Sequence, residues 1–276
     1  MTLIRVAHSP DSDDAFMFYA LAKELIDTGA YRFEHVLSDI ETLNSKAFDG
    51  TYEVSAVSIH AYAHLDDRYA LLSSGASMGD GYGPIVVARK DIVPKDLRGC
   101  VVAVPGKLTS AALALQMWMP GLKTAVLPFD AIGPGVMAGE VDAGVVIHEG
   151  QLTWKDEGLH LVQDLGVWWH EETGGLPLPL GGNVVRRDLG DQAISEVSSL
   201  LKQSIQFSLA HREQALDYAL DYGRGLDRDR ADQFVGMYVN ELTVDYGERG
   251  RKAMRLFLER AHAQGLIPKV PVLDFC

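Results

Sequence analysis

Cysteine is almost missing from this chain: Cys100 and Cys276 are the only two in 276 residues. Two thiols cannot build a disulfide framework or a four-thiolate metal site, so a reducing cytoplasm is the expected compartment. No run of eighteen apolar residues occurs, which leaves no candidate membrane span. The opening segment Met1-Thr2-Leu3-Ile4-Arg5-Val6-Ala7-His8-Ser9 has no basic stretch followed by an apolar one. It reads as a first β-strand, not as a secretory signal. Positive charge is also scarce, with 25 Lys and Arg against 38 Asp and Glu and a formal charge of −13. Nucleic acid is thereby excluded as a partner, because neutralising phosphates requires a basic face.

Several motifs of known chemistry are missing as well. The turn Val104-Pro105-Gly106-Lys107-Leu108-Thr109-Ser110 lacks the two-glycine spacing of a phosphate-binding loop. The glycine-rich segment from Gly79 to Pro84 lacks the strand before and helix after that a dinucleotide site needs. No Gly-x-Ser-x-Gly elbow is present. His60 and His64 stand one helical turn apart, yet no glutamate intervenes and no third ligand is evident. In the Asp11-Ser12-Asp13-Asp14 cluster, Ala15 takes the next alternate position and no glutamate completes a calcium loop. The economical expectation is chemistry without metal or organic cofactor.

What is present is an alternation of strand and helix signals, which points to an α/β fold with mainly parallel sheets. The length suits one or two domains. Strands are expected at 3–7, 31–37, 54–58, 71–73 and 85–88, with helices at 14–26, 40–48 and 61–65 between them. A second unit repeats the rhythm from about Arg89, without sequence repetition. Its strands fall at 101–104, at 125–128, in the stretch that ends on His148 and at 161–164, and its helices at 110–117 and 131–138. After the Pro/Gly-rich stretch from Leu176 to Gly182, the chain is read as helical over 193–219, 227–240 and 247–263. Two crossings, near Ala88 and Gly182, connect two lobes around a central cleft. Residues 1–88 with 183–276 form the expected larger lobe, and residues 89–182 the smaller.

Ligands of open α/β sheets sit beyond the carboxyl ends of the strands, so residues at those ends are the candidates. The segment Val141-Asp142-Ala143-Gly144-Val145-Val146-Ile147-His148-Glu149 reads as a buried strand ending on a histidine. His148 is therefore the candidate general base, since imidazole exchanges a proton near neutral pH. Thr109 and Ser110 open a helix, where hydroxyls and free amides can cap the helix or receive a carboxylate. Asp11 and Asp13 lie between the first strand and the first helix, where each is a helix cap or an acceptor of ligand hydroxyls. Ser58 ends another strand and faces the same crevice, and Asn44 is a weaker candidate nearby. Because carboxylates repel, the cleft is expected to be polarised, with a substrate carboxylate by Thr109 and Ser110 and a hydroxyl-bearing ring by Asp11.

Nearly the whole chain resembles the 1,4-dihydroxy-6-naphthoate synthases of the futalosine route to menaquinone. The matching pieces begin with Phe16-Met17-Phe18-Tyr19-Ala20-Leu21, Glu41-Thr42-Leu43-Asn44 and Gly83-Pro84-Ile85-Val86-Val87-Ala88-Arg89. They continue with Ile147-His148-Glu149, Asp164-Leu165-Gly166-Val167-Trp168-Trp169, Leu176-Pro177-Leu178-Pro179-Leu180-Gly181 and Tyr238-Val239-Asn240. The resemblance implies a two-lobed, type II periplasmic-binding-protein-like fold used in the cytoplasm as a cofactor-independent lyase. It further implies His148 as the catalytic base acting on cyclic dehypoxanthine futalosine, with Asn44, Ser58, Thr109 and Ser110 in the binding site. A homodimer is implied on the same ground only. One loop departs from the family, which usually reads Ser-Pro-Cys-Pro-Asn-Asp-Thr-Phe where this chain has Ser9-Pro10-Asp11-Ser12-Asp13-Asp14-Ala15-Phe16. The alternatives are a non-catalytic small-molecule binding protein of the same fold and the related chorismate dehydratase.

Overall fold

A computed structural model describes residues 1–276. The chain folds into two sheets, each covered by helices. The first sheet contains β1 (Thr2–His8), β2 (Tyr31–Leu37), β3 (Val54–Ser58), β4 (Tyr69–Leu71), β5 (Ser77–Gly79) and, returning late in the chain, β11 (Leu178–Arg186). Their order is β2-β1-β3-β11-β4, with β5 also paired to β11. The second sheet holds β6 (Ile85–Ala88), β7 (Val101–Val104), β8 (Lys123–Val126), β9 (Ala143–Val146) and β10 (His160–Asp164), in the order β10-β6-β9-β7-β8.

The helices of the first unit are α1 (Ser12–Ala22), α2 (Ile40–Phe48) and α3 (Ile59–Tyr62). In the second they are α4 (Ser110–Trp118), α5 (Ile132–Ala138), α6 (Gly150–Thr153) and α7 (Leu165–Thr173). A terminal array follows: α8 (Asp191–Ala210), α9 (Arg212–Leu220), α10 (Arg228–Tyr238), α11 (Glu241–Val244) and α12 (Gly247–Ala263). Helix α1 packs against α8, α9 and α10. Enclosed in this way, it buries Ala15, Phe16, Met17, Phe18, Ala20 and Leu21, so it has no polar face to show. Helix α12 is the opposite case. Its buried Ala253, Met254, Phe257, Leu258 and Ala261 recur at helical spacing and form one apolar stripe.

Three expectations change. Ile85–Ala88, assigned from sequence to the first lobe, pairs antiparallel with β9 and β10 and so belongs to the second sheet. The chain therefore crosses between Gly79 and Ile85 and returns between Thr173 and Leu178, several residues before each expected boundary. Four consecutive buried apolar residues fit either sheet equally well, and only pairing distinguishes them. The Pro/Gly-rich stretch, read as a connection, is the first half of β11. Pro179 is accommodated at an irregularity in its pairing with β5. The sheets are also more mixed than expected, since β6 and β11 run antiparallel to their neighbours. No helix is long and apolar enough to cross a membrane.

Candidate active site

The two lobes enclose a cavity of about 740 Å³, part of it open to solvent, within the usual size of small-molecule sites. Asp11, Ser58, Thr109, Ser110 and His148 all line it. Five side chains from four strand ends thus converge on one space. Asn44 does not line it, lying instead one layer behind. Its amide nitrogen donates to Ser58 Oγ at 3.0 Å, and its oxygen accepts from the Ser58 N–H at 2.8 Å. With its oxygen lone pair engaged by Asn44, Ser58 keeps its own hydroxyl proton to offer to a ligand.

His148 lies two residues beyond the end of β9 and adopts φ +55°, a left-handed conformation that costs a non-glycine residue of order 1 kcal/mol. Its Nδ1 lies 3.0 Å from Asp11 Oδ2. The Asp11 side chain is only 3% exposed and that of His148 17%, so water screens this contact poorly. Phe129 packs edge-on to the imidazole, with ring centroids 5.1 Å apart. Nε2 is the ring nitrogen left for a ligand. Asp11 also caps α1, its Oδ1 accepting from the Asp14 N–H at 3.4 Å. Asp11 thus braces the imidazole and caps α1 while it lines the cavity.

The carboxylates around this pair do not behave alike. Burial pushes Asp11 up, but His148, a hydrogen bond from Asp13 and the Arg224 charge outweigh it and hold the carboxyl at about 2. Asp13 is pushed well above the usual carboxylate range by burial and by the charges of Asp11, Asp14 and Glu149. Burial and Asp11 raise Asp14 likewise, against the Ser9 N–H that it accepts. The two buried neighbours are thus pushed in opposite directions, Asp11 toward the carboxylate and Asp13 toward the protonated form. A protonated carboxyl has the shape and the hydrogen-bonding pattern of the amide usual at that place in the family loop.

The opposite wall is the start of α4. Thr109 Oγ1 accepts from the Ala112 N–H at 3.2 Å and donates to the Gly106 carbonyl at 2.9 Å. Ser110 Oγ donates to the Leu180 carbonyl at 2.5 Å and accepts from the His60 N–H at 3.2 Å. Both hydroxyls thus serve the protein. The Ser110 and Ala111 amides, in the first turn of the helix, have no intrahelical acceptor and point the positive end of its dipole at the cavity. An anionic oxygen would be met there by backbone N–H groups.

Contacts between the lobes surround the cavity. Glu41 accepts from the Lys107 N–H at 2.9 Å and the Leu108 N–H at 3.3 Å, and a Cβ on Gly106 would collide with its carboxylate. His60, whose spacing from His64 suggested no metal site, places Nδ1 3.3 Å from the Thr109 carbonyl; burial lowers its pKa to about 4. Arg224 donates to Glu149 Oε2 at 2.8 Å and to the Pro10 carbonyl at 3.0 Å, tying a loop of the helical array to both strand ends. Gln151 and Tyr238 add a polar edge, 2.7 Å apart. Sequence reading passed over Arg224 and Gln151, on a loop and a short helix, and Asn183, in the middle of β11, because none of them stands at a strand end. No three His, Cys, Asp or Glu side chains converge in a way that would hold a metal ion.

A family profile described as menaquinone biosynthesis matches residues 4–263. A 1,4-dihydroxy-6-naphthoate synthase of Thermus thermophilus is 40% identical over 271 residues, covering 98% of each chain. One from Streptomyces coelicolor is 38% identical, covering 96% of this chain and 95% of its own. A solved structure from Archaeoglobus fulgidus superposes with a TM-score of 0.92 at 50% identity, over 96% of this chain and 98% of that one. The alkanesulfonate-binding protein of Xanthomonas axonopodis reaches a TM-score of 0.73 at 14% identity, over 99% and 96% of the two chains. That last likeness establishes the fold alone: a two-lobed, periplasmic-binding-protein-like architecture.

Proposed function

The chain belongs to the menaquinone-biosynthesis family, and from that premise we propose that it produces 1,4-dihydroxy-6-naphthoate by lyase chemistry on cyclic dehypoxanthine futalosine, with His148 as general base. The observation that carries the residue assignment is the His148–Asp11 contact of 3.0 Å inside the cavity. A carboxylate on Nδ1 fixes the tautomer, leaves Nε2 as the basic nitrogen, and stabilises the imidazolium formed when it takes a proton. His148 removes a proton from the cyclic substrate, a carbon–carbon bond of the sugar-derived part breaks, and aromatisation of the naphthoate ring drives the departure of that fragment.

The walls of the cavity give the substrate one orientation. Its carboxylate lies against the free Ser110 and Ala111 amides, with Thr109 and Ser110 holding the turn that presents them. Ser58, steadied by Asn44, donates a hydrogen bond to the ring or its substituents. The carboxylate thus stays away from ionised Asp11, where two unit charges about 4 Å apart would repel by roughly 4 kcal/mol. We place the protein in the cytoplasm as a possible homodimer on family grounds, with a small carboxylic acid as its substrate.

Separate incubations with cyclic dehypoxanthine futalosine and with chorismate test this reading. Conversion of the first to 1,4-dihydroxy-6-naphthoate, identified by mass, is the expected result. Turnover of chorismate instead would make the protein a dehydratase, and tight binding of either compound without turnover would make it a binding protein.

A further inference from the structure

Two buried acceptor oxygens in the cavity have no donor. Asp13 Oδ1, on the first turn of α1, and Asn183 Oδ1, on β11, are closed off from solvent and lack any hydrogen-bond partner. Asp13 is 7% exposed and Asn183 2%, and both line the cavity. Asn183 Nδ2 donates to the Gly75 carbonyl at 3.3 Å, and a Cβ at Gly75 (φ +82°) would strike that nitrogen. Asn183 is thereby held in one orientation with its oxygen unused, and Asp13 stands beside the Asp11 carboxylate.

An orphaned buried acceptor is costly, and its presence in a native structure calls for an explanation. Neither oxygen can be satisfied by a carboxylate, a carbonyl or a hydrocarbon edge. Only a group carrying its own proton fits. The neighbouring Met17 and Phe234 side chains supply apolar lining and no donor. The anion-receiving amides belong to α4, in the other lobe, so the two kinds of recognition come from different elements.

We propose that the wall formed by α1 and β11 is a hydroxyl-recognising subsite, in which Asp13 Oδ1 and Asn183 Oδ1 accept hydrogen bonds from hydroxyl groups of a substrate anchored by its carboxylate at α4. The identity of that substrate rests on the lyase reading; the hydroxyl subsite does not. Burial and the neighbouring Asp11 and Asp14 charges favour the protonated form of Asp13, which donates through one oxygen and accepts through the other. A carboxamide can make the same pair of bonds. The subsite therefore selects a hydroxylated ring over a bare one and takes no part in proton abstraction.

The test uses the whole protein and the variants Asp13→Ala, Asp13→Asn and Asn183→Ala, each checked for cooperative thermal unfolding. In steady-state turnover of cyclic dehypoxanthine futalosine, KM should rise about 10-fold in each alanine variant, the loss of one hydrogen bond. For Asn183→Ala, kcat should change much less than KM, and Asp13→Asn should recover most of what Asp13→Ala loses. A second arm measures calorimetric binding of quinate, a hydroxylated ring acid, against cyclohexanecarboxylate, which lacks the hydroxyls. The unsubstituted protein should prefer quinate by about 10-fold or more, and the double alanine variant should not. Absence of that preference in the unsubstituted protein, or its persistence in the double variant, overturns the proposal. A protein that fails to turn over the futalosine compound loses the lyase reading, and the quinate comparison still decides the subsite.

Discussion

Replacing Asp11 by Asn removes the charge beside His148 and keeps the side chain's size. In the native protein Asp11 is held at about 2 against an ordinary value of 3.8, although burial alone would push it upward. That lowering corresponds to favourable interaction with its surroundings on the order of 2 kcal/mol. The site is almost closed to water, so little of this is lost to screening. Most of it comes from His148, with Asp13 and Arg224 contributing the rest. If the imidazolium forms in the rate-limiting step, kcat of Asp11→Asn should fall about 50- to 100-fold, while KM should stay within about 3-fold because Asp11 does not hold the substrate. The assay is steady-state formation of 1,4-dihydroxy-6-naphthoate by absorbance or chromatography. His148→Asn and the double variant complete the cycle. Since Asp11 acts through His148, the double variant should be no slower than His148→Asn alone. Losses that simply add, or an Asp11→Asn protein with native kcat, would refute the pairing.

Further outcomes follow from the same geometry. His148→Ala should lower kcat by at least about 10² while circular dichroism and the melting profile stay close to native; near-full turnover removes His148 from the mechanism. Thr109→Val deletes the cap of α4 and should cost about 1 kcal/mol in urea unfolding, together with a rise in KM larger than that of kcat, because the turn presenting the Ser110 and Ala111 amides loosens. An unchanged KM would dissociate that turn from carboxylate binding. For Asp13 the sign follows from its raised folded-state pKa. The folded protein retains a proton that the unfolded chain releases above about 3.8, so the native protein loses stability as pH rises from there through the folded-state value. Asp13→Asn has no such titration, and its melting temperature relative to the native protein should climb between pH 4 and pH 7. Parallel profiles would mean that Asp13 ionises normally.

Much of the site could be read along the chain because α/β folds put function at strand ends. Val145 and Val146 mark a covered strand, and His148 falls just beyond it. Thr109 and Ser110 stand where a helix must begin, and Asn44 and Ser58 were flagged by position and by family resemblance. Local rules of this kind depend on hydrogen-bonding needs that neighbouring residues already express. The same rules found α2, α4 and α12, whose capping residues or apolar spacing announce them.

Partners distant in sequence required the fold. Asp11 and His148 are 137 residues apart, and Asp11 alone reads equally well as a helix cap or a ligand acceptor. Asn183 looks unremarkable, and Asp13 reads as a cap or an acceptor, until burial shows that each has one oxygen without a donor. The lobe boundaries belong to the same class. Ile85–Ala88 has the composition of an interior strand in either sheet, and only its pairing with β9 and β10 assigns it. Periodicity and capping are short-range properties written into adjacent residues, whereas charge state and strand partnership depend on which distant groups share a dry space. The sequence alone therefore determined the α/β class, the strand ends and the candidate base. Tertiary structure alone decided which carboxylate faces the histidine and which is pushed toward its protonated form beside it.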